Sequence, residues 1–289
     1  MRPPRVWLVT GSSSGFGLAM CKHLLAKGDK VVATLRTPSA LAALSAEHTS
    51  DALLVCSVDV TRPVDIRAAF RAAIAHFGRV DAVFNNAAAN LIGEVEAVPD
   101  AAARELMDVN FWGAAAVARE AVRVFRDENP PSAGGLLFTM SSELGLRAFA
   151  ALGYYCAAKF ALEGLMEALV QELDPDWNTK ICIVTPGTFR TEVRAKATVV
   201  PSHPAYSSVE APRQAREYFD TTWDPSRPTR IGDVTKAVAR IYEVSAMEHI
   251  PSRLFLGNDS VASVRSKLQR LAAEADESEQ WAQGLLEDV

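Results

Sequence analysis

The run Thr10-Gly11-Ser12-Ser13-Ser14-Gly15-Phe16-Gly17 joins the apolar segment Arg5-Val6-Trp7-Leu8-Val9 to an Ala/Leu-rich stretch, and this junction decides the fold. The segment before it reads as a strand from Arg5 to Thr10. The stretch after it reads as a helix from Phe16 to Lys27, with Gly28 placed to end it. Glycines suit the junction because the chain must turn sharply and a phosphate must approach the backbone closely. The free N–H groups of the helix that follows then face the anion. The glycine spacing is not the familiar G-x-G-x-x-G, so the weight rests on its position between strand and helix. Gly11, Ser12, Ser13, Ser14, Gly15, Phe16 and Gly17 are therefore predicted to hold the phosphates of a dinucleotide.

The same strand-then-helix alternation continues outward. Strands are predicted at Lys30 to Leu35, Ala52 to Cys56, Val80 to Phe84, Gly135 to Met140, Lys180 to Thr185 and Arg253 to Leu256. Helices are predicted at Leu41 to Glu47, Pro63 to Phe77, Ala101 to Phe111, Gly113 to Asp127, Tyr154 to Glu172, Ile231 to Ala246 and from Asp259 to about Ala272. The strands are apolar throughout, which marks parallel strands covered on both faces. Repeated strand–helix units with such strands predict an α/β, doubly wound parallel sheet with helices on both faces. No internal repeat or linker divides residues 1–289, so one domain is expected. Residues 188–230 hold five prolines and several aromatics, too long for an ordinary loop, and read as a substrate-binding lid. Residues 274–289 read as an acidic C-terminal tail, solvated or contacting a partner.

Composition excludes several classes. The 289 residues are 49% hydrophobic and 22% charged, with a formal net charge of −5. Broad nucleic-acid binding needs a basic face. No apolar run reaches the ~18 residues of a membrane span. The first apolar run is too short for a signal-peptide core, so a cytoplasmic protein is expected. Cys21, Cys56, Cys156 and Cys182 lie far apart in apolar surroundings and read as reduced, buried thiols. The five histidines are scattered, so no metal site is assigned.

Cofactor choice is legible at the end of the second strand, Ala33-Thr34-Leu35-Arg36. That position meets the adenosine ribose in dinucleotide folds, and a carboxylate there would repel a 2′-phosphate. Leu35 and Arg36 stand there instead, and an arginine can clamp the phosphate. NADP(H) is therefore expected over NAD(H). Asp59-Val60 follows the third strand and could reach the adenine, although Asp59 could equally cap the helix that Pro63 begins. Asn85-Asn86-Ala87-Ala88 follows the fourth strand, where asparagine side chains can fix a loop around the cofactor.

Tyr155-Cys156-Ala157-Ala158-Lys159 sits on the long helix, and residues four apart share one helical face. An ammonium beside a phenol favours the phenolate and lowers its pKa. A tyrosine so tuned can pass a proton to or from a carbinol oxygen. Ser142 lies just after the fifth strand, where its hydroxyl could hold the substrate oxygen.

These residues together resemble the short-chain dehydrogenase/reductases. The resemblance runs from about Arg5 to Gly257 and rests on Thr10-Gly11-x-x-x-Gly15-x-Gly17, Asp59-Val60, Asn85-Asn86-Ala87, Asn110, Ser142, Tyr155-x-x-x-Lys159 and Pro186-Gly187-x-x-x-Thr191. It implies a Rossmann-type sheet of about seven strands in the order 3-2-1-4-5-6-7. It implies Tyr155 as general acid/base, Lys159 bonding the nicotinamide ribose, Ser142 orienting the substrate, and Asn110 holding a water linked to Lys159. Pro186, Gly187, Thr188 and Thr191 would line the nicotinamide side. Tyr155 to Leu165 and Ala33 to Arg36 look like the NADP-preferring hydroxysteroid and retinol dehydrogenase branch, and Phe189-Arg190-Thr191-Glu192 resembles microbial and fungal members. The family's usual Asn-Asn-Ala-Gly reads Asn85-Asn86-Ala87-Ala88 here, and a small backbone adjustment is expected at Ala88.

The implied activity is NADP(H)-dependent hydride transfer between nicotinamide and a carbonyl or secondary alcohol, that of a ketoreductase. The alternatives are a non-catalytic NADP-binding regulatory protein, or an epimerase or dehydratase that retains its cofactor. Asn90, Leu91, Leu144, Phe149, Phe189, Val193, Tyr206 and Phe219 are candidate walls for a partly hydrophobic substrate. The resemblance also implies a homodimer or homotetramer, built through the helices around Ala103 to Asp127 and Tyr154 to Glu172.

Overall fold

A computed structural model describes residues 3–193, 195–222 and 231–285. The chain opens with β1 (Val6–Thr10), α1 (Gly15–Ala26), β2 (Lys30–Leu35), α2 (Ala42–Glu47), β3 (Leu53–Ser57), α3 (Pro63–Phe77) and β4 (Ala82–Asn85). It continues through β5 (Leu91–Ile92), α4 (Asp100–Met107), α5 (Ala114–Asp127), β6 (Gly135–Met140) and α6 (Gly153–Glu172). It ends with β7 (Thr179–Pro186), β8 (Thr198–Val199), α7 (Glu210–Thr222), α8 (Val234–Val244), β9 (Arg253–Leu256) and α9 (Asn258–Ala282).

Seven strands form one sheet in the order β3-β2-β1-β4-β6-β7-β9, and every neighbouring pair is parallel. With the short β5 and β8 set aside, this is the order 3-2-1-4-5-6-7 that the family resemblance implies. The chain reverses direction across the sheet at β1 and β4, so a crevice opens beyond their carboxyl ends. Alternation along each strand supplies a core on both faces. Trp7 and Val9 join Met20, Leu24, Phe84, Phe138 and Val238 under α1 and α8. Val6 and Leu8 join Phe70, Val83, Val117, Phe125, Leu162 and Met166 under α3, α5 and α6. Each fully buried side chain of this size contributes about 1.5–3 kcal/mol.

Several elements differ from their sequence reading. The helices expected at Ala101 to Phe111 and Gly113 to Asp127 are one continuous rod. A wide turn over Asp108–Gly113 joins α4 to α5 without a break. Such π-type turns place one extra residue in the helix and collect at functional sites. The helix expected from Ile231 begins at Val234, because Asp233 accepts from Thr235 N and Lys236 N as its N-cap. The long 188–230 segment contains β8, a short 3-10 turn at Pro204–Tyr206 and α7; its residues 223–230 lie outside the described set. β8 pairs with β5, Leu91 opposite Thr198 and Ile92 opposite Val199. Helix α9 runs on to Ala282, so the acidic stretch from residue 274 begins as helix, and residues 286–289 lie outside the described set. Among the described residues no helix is long and apolar enough to cross a membrane.

Candidate active site

A cleft of about 1010 Å³ opens at the carboxyl ends of β1, β4, β6 and β7. Its floor is the glycine loop. Gly11 and Gly15 have φ of +68° and +53°, which side-chain-bearing residues rarely adopt. A Cβ on Gly17 would fall on the Gly11 carbonyl oxygen and lie 2.8 Å from Asn86 Nδ2, so no larger residue fits there. Asn86 Nδ2 donates to the Thr10 carbonyl at 2.8 Å, and Thr10 Oγ1 accepts from Asn86 N and Ala87 N at 2.8 and 2.9 Å. The loops after β1 and β4 are thereby tied into one rigid rim. The first turn of α1 has no acidic residue, and Ser14 at its N-cap makes no side-chain cap bond. Its N–H groups are left for an outside anion.

Most of the predicted cofactor residues line this cleft: Gly11, Ser13, Ser14, Gly15, Phe16, Arg36, Asp59, Val60, Asn86, Ala87, Pro186, Gly187, Thr188 and Thr191. Ser12 and Gly17 do not. Ser12 is fully buried, its Oγ donating to Val9 O at 2.9 Å and its N–H to Thr34 O at 3.1 Å. It braces the loop from behind, and its side chain cannot meet a ligand. Gly17 serves as the close-approach position described above. Arg36 is exposed at the end of β2, whereas Leu35 is buried. Asp59 does not cap α3; Oδ1 accepts from Thr61 N at 2.9 Å and Thr61 Oγ1 at 2.8 Å. The Thr61 bonds, with Arg36 and Arg62 nearby, hold its carboxyl below the ordinary range. Ala88 lies in the cleft wall, and no positive φ strains it, so alanine needs no adjustment there.

Ser142, Tyr155 and Lys159 meet at the centre of the cleft. Ser142 lies two residues beyond β6 in extended backbone, and its Oγ accepts from Leu144 N at 3.2 Å. Its hydroxyl also acts on the Tyr155 phenol, pulling the phenol pKa down. Lys159, one turn along α6, is buried and donates to the Met140 carbonyl at 2.8 Å. Its ammonium stands 5.9 Å from the Tyr155 ring centre. The sequence reading expected Lys159 to lower the tyrosine pKa. Here burial pushes the Tyr155 phenol up to about 12, and the opposing pull comes from Ser142, not Lys159. Lys159 itself is driven down to about 8 by burial, with Glu163 opposing. Asn110, in the wide turn, is fully buried beside the cleft; Oδ1 accepts from Ala89 N at 2.7 Å and Nδ2 donates to Ala89 O at 2.9 Å. Both ends of its side chain are used to hold the loop after β4.

The far end of the cleft is lined by Asn90, Leu144, Phe149, Phe189, Val193 and Phe219, as the sequence suggested. Leu91 and Tyr206 are not in its wall. Leu91 is buried beneath it in β5, and Tyr206 packs its ring against His203. Tyr218 was missed; its hydroxyl lies 2.9 Å from Thr188 Oγ1 and its ring 5.9 Å from that of Phe149. Asp259 was also missed. It accepts from Thr188 N at 2.7 Å, and a Cβ on Gly187 would run into its carboxylate. As the second residue of α9, Asp259 carried no signal linking it to a loop 71 residues earlier.

The sequence profile described as "short chain dehydrogenase" matches residues 5–199. An uncharacterized oxidoreductase of Schizosaccharomyces pombe is 36% identical over 270 residues, covering 93% of this chain and 87% of that protein. A solved short-chain dehydrogenase from Streptomyces avermitilis has 34% identity and a TM-score of 0.87, covering 98% of this chain and 99% of the other. Two more distant structures share the fold. One, from Burkholderia phymatum, was solved in complex with NAD (22% identity, TM-score 0.76, 99% and 98% of the two chains). The other, from Burkholderia cenocepacia, was solved with NADP (23%, 0.69, 98% and 98%).

Proposed function

The chain belongs to the short-chain dehydrogenase family, and we propose that it is an NADP(H)-dependent reductase of a partly hydrophobic carbonyl compound, with Tyr155 as the general acid/base. The observation that carries this reading is the meeting of Ser142, Tyr155 and Lys159 in the cleft, with Lys159 one helical turn beyond Tyr155 on α6. A dinucleotide fits the rest of the cleft. Gly17 leaves the backbone bare where a Cβ would clash, and the α1 N-terminus has neither an acidic residue nor a capping side chain. Gly11, Gly15, Asn86, Pro186, Gly187 and Thr191 would hold it, and Arg36 would take the 2′-phosphate.

When bound, the nicotinamide supplies or accepts the hydride. The chain supplies the proton and the alignment. Ser142 Oγ and Tyr155 Oη converge, so a carbonyl oxygen between them would accept from both. In reduction Tyr155 gives its proton to that oxygen as charge builds there; in oxidation it takes the proton back. The ammonium of Lys159 stabilises the phenolate left behind when it turns from Met140 O toward the hydroxyl. Asn110 acts at one remove, by fixing the loop that borders Lys159. Phe149, Tyr218, Phe219 and Leu144 favour an apolar body on the substrate.

The test is NADPH oxidation against a panel of ketones and aldehydes, read by absorbance. Wild type should oxidise NADPH with at least one member. Tyr155→Phe should bind NADPH normally and lose about 10²-fold or more of turnover. Full turnover by Tyr155→Phe would sink the assignment.

The same reading includes a cytoplasmic homodimer or homotetramer. Trp112 at the α4–α5 junction and Phe160 on α6 are 61% and 41% exposed, which supports pairing through those helices. A monomeric mass at micromolar concentration would overturn that part.

A further inference from the structure

Lys196 belongs to the segment between β7 and α7, yet its Nζ donates to Ser14 Oγ at 2.9 Å across 182 residues of sequence. Ser14 is the N-cap of α1. Its backbone is extended, and its hydroxyl makes no bond to the helix it precedes. The hydroxyl is therefore spare, and it seats a cation at the mouth of the glycine loop. Among the described residues the other side-chain partner of Lys196 is Glu192, whose Oε2 is 2.7 Å away. That carboxylate is 63% exposed, so it can rotate into water at little cost. Thr191 presses on the glycine loop from the same side, its Cβ 3.4 Å from where a Cβ on Gly15 would lie. Ser14, Thr191, Glu192 and Lys196 all line the cleft.

We propose that Lys196 is a cofactor-binding residue, whose ammonium takes an oxygen of the bridging diphosphate of the dinucleotide. This rests on the reading of the cleft as a nicotinamide dinucleotide site. The α1 N-terminus offers backbone donors and a partial positive charge to that diphosphate, but no side-chain cation of the glycine loop itself. Lys196 supplies the missing charge from the opposite wall. It exchanges the single, exposed carboxylate of Glu192 for a doubly charged group already fixed by the loop.

The test is calorimetric titration of wild type, Lys196→Ala and Lys196→Arg with NADP⁺, NAD⁺ and adenosine 2′-monophosphate. Lys196→Ala should weaken NADP⁺ and NAD⁺ by the same factor, roughly three- to tenfold, since the contact is a half-exposed charged hydrogen bond. It should leave adenosine 2′-monophosphate unchanged, and Lys196→Arg should restore both dinucleotides. Unchanged dinucleotide affinity in Lys196→Ala would overturn the proposal. So would a loss confined to NADP⁺ and adenosine 2′-monophosphate, which would put Lys196 on the 2′-phosphate. Failure of wild type to bind either dinucleotide would remove the functional reading itself, a result distinct from the other two.

Discussion

Arg216 on α7 grips both carboxylate oxygens of Glu94, 122 residues earlier, with Nε 2.8 Å from Oε1 and Nη2 2.6 Å from Oε2. Ser202 Oγ bonds the same carboxylate at 3.2 Å, and Arg216 Nη1 donates to Val200 O at 2.9 Å. Glu94 is 3% exposed, so the pair is the fixed point that joins the loop after β5, strand β8 and α7. Helix α7 carries Tyr218 and Phe219, which makes the ion pair the anchor of one cleft wall. Removing one partner strands a buried charge, and Arg216→Ala should cost about 3 kcal/mol, read as a lower urea midpoint. An unchanged midpoint would show that Glu94 finds water instead. The pH dependence has a definite sign. The Arg216 hydrogen bonds hold the Glu94 carboxyl down to about 2 from an ordinary 4.5. The pair therefore stabilises fully above about pH 4.5 and is lost as pH falls toward 2. The advantage of wild type over Glu94→Gln should shrink across that window.

Lys159 gives a second pH signature with the opposite character. Burial lowers its pKa from 10.5 to about 8, so the folded chain holds this proton less tightly than the unfolded chain. The penalty for the buried ammonium is greatest below pH 8 and fades as pH rises toward 10.5. Wild type should therefore gain stability relative to Lys159→Met between pH 8 and 10.5. Midpoints of chemical denaturation at pH 7, 8, 9 and 10 check this. A difference that stays flat over the series would mean that the amine keeps an ordinary affinity for its proton. Lys159→Met should also lose turnover, since no cation then stands beside Tyr155.

For cofactor choice, the decisive variant is Arg36→Ala. Arg36 is exposed in the cleft wall at the end of β2, and Leu35 beside it is apolar. The substitution should weaken NADP⁺ by about ten- to a hundredfold, as expected for loss of a charge-assisted bond to phosphate, and leave NAD⁺ nearly unchanged. Equal affinity of wild type for the two cofactors would refute the preference.

The strands of the main sheet were legible because each is a short apolar run bounded by turn residues, and burial on both faces demands that pattern. The glycine loop was legible because backbone geometry restricts it to glycine. Sequence failed where the deciding contact is distant. Ser12 looks like its neighbours Ser13 and Ser14, yet it is buried with its Oγ donating back to Val9 O. Leu91–Ile92 and Thr198–Val199 are too short to show a strand period, and only their mutual pairing makes them strands. Lys196 and Asp259 reach the cleft through bonds to Ser14 and Thr188, which no local pattern encodes. The tyrosine pKa was misjudged for a related reason: spacing places Lys159 on the right face but cannot show the burial that pushes the phenol up.

Two glycines of similar appearance in the sequence should respond in opposite ways to alanine. At Gly17 the new methyl would fall on the Gly11 carbonyl oxygen, a backbone atom that cannot move without opening the loop. Gly17→Ala should lose stability by about 1–3 kcal/mol through overpacking and should lose dinucleotide affinity as well. Gly164 lies in the interior of α6, with nothing within 4 Å of an added Cβ and no left-handed φ. Glycine in a helix interior costs roughly 0.5–1 kcal/mol relative to alanine, because the unfolded chain has more freedom to lose. In the single chain Gly164→Ala should therefore raise stability by that amount and leave cofactor affinity untouched; Phe160, one turn earlier on the same face, is where pairing is proposed. Thermal melts of both variants, with and without NADP⁺, measure the contrast. A destabilised Gly164→Ala would mean that this open face of α6 is covered by another chain in solution, since the isolated fold leaves room for the methyl.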